Sequence, residues 1–420
     1  MEQAIVYLSD IPISNRSGTR WVQKLNDYNY KKLLISSVEE FDDQVGNYFD
    51  SCIRVKDILD FENLSEIIAD VKSKYEIVAL YAPKENLIEI GGDLRSKFGI
   101  PGIQKNQALA VRDKWIMKEM LHQRELNTSK NAIAVSENEA ILFAKKVGFP
   151  IVAKPLNGFA TLNTQKLLSN KDISEYFSNL VIENELLLAI SDNRILLESF
   201  IDGEEYHCDC VVQNGQVVFS SVSKYLYNCM DIATKGSPPA SIIFPKAESE
   251  KNVATRKISE LNEKVISALG INNTVTHGEY FVTKDGNVYF GEIGARIGGA
   301  DVMPPIIKNT FNVDMFEAMI DVELQKFVSP KQSKDIFTGM ICLPQKSGEI
   351  AALATLKDFK DIDGIITFEV QRSIGDRLLD VKDTMTRSGF AIIEDVNYDS
   401  LREKLLTVYH RFFDLMVVEE

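Results

Sequence analysis

No run of apolar residues in the chain approaches the length of a membrane span. Nothing at the N-terminus reads as a secretory signal either. Residues 1–8 lack a basic start and a long apolar stretch, and they run straight into a strand pattern. No membrane partner is expected, and a cytoplasmic location is. Basic charge is also short: 47 Lys and Arg stand against 61 Asp and Glu, a formal charge of −14. A nucleic-acid partner, which wants a basic face, is not expected. Cysteines are few, odd in number and scattered: Cys52, Cys208, Cys210, Cys229 and Cys342. That pattern suits reduced thiols rather than a disulfide framework. Cys208 and Cys210 have the wrong spacing for a zinc knuckle; in a strand they share one face as small buried hydrophobes. The histidines His122, His207, His277 and His410 show no metal-ligand spacing. Internal repeats and low-complexity tracts are absent.

What is there is a long α/β chain. At 420 residues it exceeds one ordinary core, so two or three packed modules are expected. Strands at Ala4–Leu8 and Glu76–Tyr81, with a helix at Leu64–Lys74 between them, predict a parallel sheet with crossover helices. A long helical pattern follows over Gln107–Glu125. Ser136-Glu137-Asn138-Glu139 reads as a capping box, and Gly148 ends its helix. A strand at Pro150–Pro155 precedes an Asn-Gly loop. From Ile195 the pattern turns to β, with hairpins at Asn214-Gly215 and Asp285-Gly286 and a helix at Val253–Leu269 between them. From Phe337 the chain returns to α/β and ends in a helix over Ser400–Phe413. Boundaries fall near residues 110 and 325, dividing the chain into 1–110, 111–325 and 326–420.

The second hairpin carries the sharpest inference. With Asp285-Gly286 as a two-residue turn, Lys284 pairs with Asn287, Thr283 with Val288, and Glu279 with Glu292. Two glutamates then face each other, and each such like-charge pair costs a few tenths to ~1 kcal/mol. A divalent cation removes that cost, and magnesium prefers carboxylates together with phosphate oxygens. Two solvated glutamates on an exposed face are the plainer alternative, and the hairpin alone leaves both open. An odd loop length breaks the register. The strand ends in Glu292-Ile293-Gly294-Ala295-Arg296-Ile297-Gly298-Gly299, a glycine-rich turn bearing one guanidinium. Backbone N–H groups at Gly298 and Gly299 and the planar fork of Arg296 suit an anion; a tight turn with a surface arginine is the alternative.

With these residues the sequence resembles the ATP-grasp superfamily, over most of its length. The resemblance implies an N-terminal parallel α/β module, a central two-lobed nucleotide-binding region and a smaller lid-like C-terminal α/β module. It places one or two magnesium ions on Glu279 and Glu292, with manganese able to substitute. Arg296 falls where a subset of these ligases stabilises the reacting acyl group. Leu197-Glu198-Ser199-Phe200-Ile201-Asp202-Gly203-Glu204-Glu205-Tyr206 is similar to the adenine and ribose segment. Glu198 and the backbone of Phe200 and Ile201 would face adenine, and Glu205 the ribose. Lys154 and Lys114 match the two nucleotide lysines. Lys224, counted opposite Glu205 in the first hairpin, is a third phosphate candidate. The loop after Lys154 keeps one glycine where many members have several, and Thr161 is its expected hydroxyl. Gly294 stands where ligases of the D-alanine type carry a metal-binding asparagine, which argues against that activity.

Glu-x-Gly-x-Arg-x-Gly-Gly, preceded by His277-Gly278-Glu279, most resembles bacterial L-amino acid ligases that make dipeptides. That resemblance implies ATP-driven acyl-phosphate formation, release of ADP and phosphate, and small-molecule amino-acid partners, with a homodimer admissible. His277, Arg296, Gly298, Gly299 and Ala300 are the expected substrate contacts. Asp376, in a C-terminal turn, is a candidate partner for an arginine substrate. A purine-type ligase or carboxylase, and a non-catalytic nucleotide-binding protein, are the alternatives. Glu292→Gln is expected to leave the apo protein no less stable, because a like-charge pair disappears.

Overall fold

The computed structural model describes residues 1–13, 18–41, 45–158, 163–183, 194–299, 302–328, 333–378 and 387–419. The N-terminal strands β1 (Glu2–Ser9), β2 (Lys31–Ser36), β3 (Ser51–Arg54) and β4 (Tyr75–Tyr81) form a parallel sheet in the order β3-β2-β1-β4. The crossover helix Phe61–Lys74 starts at Asp60, whose carboxylate accepts the Asn63 N–H. It buries Leu64, Ile68 and Val71 against Val6, Leu8, Leu33 and Leu80. Each such fully buried aliphatic contributes about 1.5–3 kcal/mol. Order reverses between β1 and β4, so their C-terminal ends open the crevice where α/β sheets take ligands. Ser9, Pro83, Lys84 and Glu85 lie at that edge.

A small lobe follows, with strands β5 (Asn131–Ala134), β6 (Ile151–Pro155), β7 (Gln165–Leu167) and β8 (Ile195–Ser199) in the order β5-β8-β6-β7. Its helix Glu137–Val147 is capped by Ser136, as expected. The Glu139 side chain, however, accepts from Val135 N–H rather than from the cap residue.

The third unit is an eight-stranded sheet. It uses β9 (Gly203–Gln213), β10 (Gln216–Tyr225), β11 (Ala240–Ile243), β12 (Thr274–Thr283), β13 (Val288–Gly294), β14 (Phe337–Leu343), β16 (Ile365–Val370) and β18 (Gly389–Asp395). Their order is β13-β12-β9-β10-β11-β14-β18-β16. Strands β15 (Gly348–Ala352), β17 (Arg377–Leu378) and β19 (Val417–Glu419) make a three-stranded sheet beside it. The segment beyond residue 326 therefore does not stand apart: β14 pairs with β11, and the central sheet continues into C-terminal strands. Among the described residues no helix is long and apolar enough to cross a membrane.

The strand period of two assigns faces on the large sheet. On β9, Tyr206, Cys208, Cys210 and Val212 join the core that includes Ile258 and Val265 of the helix Val253–Ala268. Val211 joins the opposite core, with Met303 and Ile306. Glu205, His207 and Asp209 share the parity of Val211. On β12, His277, Glu279 and Phe281 share the parity of Val275, which lies in that same second core.

Candidate active site

The hairpin β12–β13 does bring Glu279 opposite Glu292, by a route the sequence did not suggest. The loop is one residue longer than expected: Val282 pairs with Val288, and Thr283 and Asn287 close the turn. A bulge then omits Gly291, so the register shifts by one and Glu279 meets Glu292. The bulge also reverses parity. Val288 and Phe290 pack in the first core, and so do Ile293 and Ala295, leaving Glu292 on the face of Glu279. Only glycine fits comfortably at 291: a Cβ there would lie 3.0 Å from the Glu279 carbonyl oxygen and 3.1 Å from the Phe281 ring.

Both glutamates line one cleft with Lys114, Lys154, Glu198, Phe200, Ile201 and Glu205. The Nζ atoms of Lys114 and Lys154 each lie 3.6 Å from Glu292 Oε2. Burial would raise the Glu292 carboxyl, but the two lysines outweigh it and hold it below the ordinary range. Hard carboxylate oxygens, opposed in register and facing a cleft with two cations, are a donor set that fits magnesium.

The expected single helix over Gln107–Glu125 is two helices, Lys105–Arg112 and Lys114–His122. Asp113 breaks it with extended backbone, and its carboxylate accepts the N–H groups of Trp115 and Ile116. The second helix thereby starts at Lys114 and projects Lys114 and Lys118 one turn apart into the cleft. Lys114 donates to Gly158 O at 2.6 Å. Burial lowers its pKa despite Glu292.

Lys118, which sequence reasoning missed, is 1% exposed. It donates to Glu198 at 2.7 Å and to Gly291 O at 2.8 Å. Lys154, on β6, donates to the other Glu198 oxygen at 2.9 Å, and Ser129 Oγ adds a bond at 3.0 Å. Burial opposes ionisation of Glu198, yet Lys118 and Lys154 bring it down to about 2. The Glu198 oxygens are thus engaged by lysines, and the residue lines the cleft. Phe200 donates its N–H to Pro150 O, so that N–H is already engaged within the lobe.

Glu205 accepts the Cys229 N–H at 2.6 Å. Burial, reinforced by Glu279, pushes its carboxyl up to about 8. The lysine expected beside it is displaced. A bulge between Val217 and Phe219 puts Lys224 opposite Tyr206, where it pairs with Glu204 at 2.7 Å, away from the cleft lining.

Arg296 is not a free surface arginine. Its guanidinium pairs with Glu85, and Glu85 also takes Arg112 Nη1 at 2.6 Å. Burial opposes ionisation of Glu85, but the two arginines hold it at about 2. Glu85 carries no sequence signal; the edge of the N-terminal sheet delivers it. Gly298 and Gly299 are explained by packing. A Cβ at Gly298 would sit 2.2 Å from His277 Nδ1, and one at Gly299 2.5 Å from Met303 Cγ. His277 Nδ1 donates to Asp209 Oδ1 over 2.8 Å, and its Nε2 lies 3.8 Å from Glu279. Asp376 accepts the Ser373 N–H at 2.9 Å, a turn contact outside the cleft lining. Thr161 and Ala300 lie outside the described residues.

A second, apolar cleft opens at the end of β1, lined by Leu8, Ile13, Trp21, Pro83, Ile297 and Phe316 among others. Ile297 adjoins Arg296 and Pro83 lies near Glu85, so this cleft sits beside the Arg296–Glu85 pair.

Residues 147–303 match the ATP-grasp domain family. An L-arginine-specific L-amino acid ligase of Bacillus subtilis is 27% identical over 336 residues, 79% of this chain and 78% of that protein. The crystal structure of an L-amino acid ligase from Bacillus licheniformis superposes with a TM-score of 0.75 at 18% identity, covering 100% of this chain and 99% of that one. A biotin carboxylase domain dimer of Hydrogenobacter thermophilus 2-oxoglutarate carboxylase, solved with MgADP and bicarbonate, superposes at 0.67 with 14% identity, covering 100% and 90%. The fold is that of ATP-grasp enzymes.

Proposed function

The chain carries an ATP-grasp domain, and on that premise we propose that it is an ATP- and magnesium-dependent ligase joining two L-amino acids into a dipeptide. The observation that carries this is the opposed pair Glu279 and Glu292, set among Lys114, Lys154 and the Glu85-bound Arg296. A carboxylate repels nucleophiles until it is activated, and transfer of the γ-phosphoryl group makes it an acyl phosphate with phosphate as leaving group. Magnesium, or manganese as a similar hard cation, supplies charge neutralisation at the β- and γ-phosphates when bound at the glutamate pair. Lys154 and Lys114 bind phosphate oxygens by exchanging carboxylate partners for them. Phe200 and Ile201 meet the adenine through backbone groups, and Glu205 meets the ribose. Arg296, once it shares Glu85 with the substrate, stabilises the oxyanion formed as the amine attacks.

The apolar cleft beside Arg296 supports an apolar side chain for one of the two substrates. The named specificity of the B. subtilis relative supports arginine as one of the two substrates, which we place as the amino-terminal residue; Asp376 adds nothing to that. The dimer named for the H. thermophilus domain supports a homodimer, and scattered cysteines that form no disulfide among the described residues support a cytoplasmic setting. The test is a screen of amino-acid pairs for phosphate release, followed by mass spectrometry of the product. ADP and phosphate in equal amounts with a dipeptide are expected. AMP and pyrophosphate as main products, or phosphate release with bicarbonate and no amino acid, would overturn the proposal.

A further inference from the structure

The large sheet holds a second polar cluster that the chemistry above does not use. Asp209, 1% exposed on β9, lies in register with His277 on β12, and His207 sits two residues along the same strand. Neither Asp209 nor His207 lines the nucleotide cleft. Each Asp209 oxygen takes one imidazole: Oδ2 lies 2.7 Å from His207 Nδ1, and Oδ1 lies 2.8 Å from His277 Nδ1. An ionised carboxylate only accepts, so both imidazoles carry their proton on Nδ1. His207 completes its bonding through Nε2 to Ser241 Oγ at 2.8 Å.

His277 is different, because its Nε2 points out of the cluster. That atom lies 3.8 Å from Glu279 Oε1 and 3.4 Å from the Tyr225 hydroxyl. The other side of the ring is closed by Gly298, where a Cβ would fall 2.2 Å from Nδ1. One imidazole therefore touches both the carboxylate opposite Glu292 and the turn that follows Arg296. Its plane is set from behind, by a residue that is 1% exposed.

We propose that Asp209 is a positioning residue: by fixing the plane of His277, it holds the Glu279 carboxylate in the orientation that binds magnesium with the nucleotide. The inference rests on Glu279 being a magnesium ligand. Groups that orient ligating carboxylates typically govern about 10–100-fold in metal affinity. Asp209→Asn keeps the size of the side chain but turns one acceptor into a donor, so one imidazole loses its partner.

The test measures binding, not turnover. The full chain is titrated calorimetrically with a non-hydrolysable ATP analogue, once in excess magnesium and once in EDTA. Wild type is expected to bind more tightly with magnesium. Asp209→Asn should lose about tenfold or more of that tightening, with affinity in EDTA within about twofold of wild type. His207→Asn, on the other carboxylate oxygen, should keep the full tightening. Full tightening in Asp209→Asn, or equal weakening with and without magnesium, overturns the proposal. If Asp209→Asn does not fold, His277→Asn serves in its place, and undiminished tightening there overturns the proposal too. A wild-type protein indifferent to magnesium overturns the reading of Glu279 itself and this inference with it. A failed dipeptide screen beside a normal magnesium response in wild type overturns the choice of substrates alone and leaves the role of Asp209 to the titration.

Discussion

Glu292→Gln now has a forecast opposite in sign to the one drawn from the hairpin alone. Viewed only across the strand pair, the substitution relieves repulsion from Glu279, worth a few tenths to ~1 kcal/mol. The structure adds two ammonium groups, each 3.6 Å from Glu292 Oε2. Two unit charges at that distance attract by roughly 4–5 kcal/mol at an effective dielectric of about 20, before desolvation is counted. The Glu292 side chain is 35% exposed, so solvent screening reduces the net worth of the two contacts to about 1–3 kcal/mol. At the middle of both ranges, subtracting the relieved repulsion leaves a destabilisation of about 1.5 kcal/mol. With ~2.1 cal/mol/K of unfolding entropy per residue, a chain of 420 residues then loses roughly 1–2 °C in Tm. Differential scanning fluorimetry at pH 7 in EDTA measures this directly. A repeat with magnesium and a non-hydrolysable ATP analogue should show a smaller ligand-induced rise than wild type, by mass action. Turnover should fall by orders of magnitude. A variant as stable as wild type or more so in EDTA would mean that the lysines do not hold Glu292, and near-normal turnover would remove the metal assignment.

Three other outcomes follow from single contacts. Lys118→Met leaves the buried Glu198 with Lys154 as its remaining lysine; chemical denaturation should show a loss of about 2–3 kcal/mol, and a nucleotide titration a weaker affinity. Gly291→Ala drives a Cβ to 3.0 Å from the Glu279 carbonyl, so the KM for MgATP should rise several-fold while a circular-dichroism spectrum stays native. Glu323 is 1% exposed beside Arg95, and burial, only partly offset by that arginine, raises its carboxyl to about 7. Its folded pKa exceeds the ordinary 4.5, so the native state binds the extra proton, and stability falls as pH rises from about 4.5 to 7. Glu323→Gln should flatten that part of a stability–pH curve; an unchanged slope would refute the assignment.

The site was legible where chemistry sits on local periodicity, and illegible where the backbone departs from it. Glu279 opposite Glu292 is the instructive case. The loop is one residue longer than the turn rule gives, and the bulge at Gly291 restores the pair. Glycine at 291 was the available clue, because a glycine inside a strand marks a bulge. The same kind of departure had no such compensation in the first hairpin, where the bulge after Val217 moved Lys224 onto Glu204. Asp113 broke a helix that apolar spacing reads as continuous; a capping residue ahead of Lys114 and Lys118 was the missed signal. Glu85 lay beyond reach altogether, since its partners Arg112 and Arg296 are 27 and 211 residues away. The N-terminal sheet, the small lobe and the meeting of Lys114 and Lys154 in one cleft all follow from pattern and resemblance. The joining of C-terminal strands to the central sheet does not, because edge pairing leaves no mark in either partner's sequence.

That joining changes what a shortened chain would be. Strand β14 covers β11 along Ala240-Ser241-Ile242-Ile243, four residues that are all buried. A fragment cut near residue 325, at the boundary that sequence pattern suggests, keeps every residue proposed above to hold nucleotide or metal. It also uncovers, in mid-sheet, a row of unpaired N–H and C=O groups among buried apolar side chains, the template on which chains recruit one another. Such a fragment should sediment as aggregate rather than as a small folded unit, and the C-terminal segment is in that sense the protein's own edge guard.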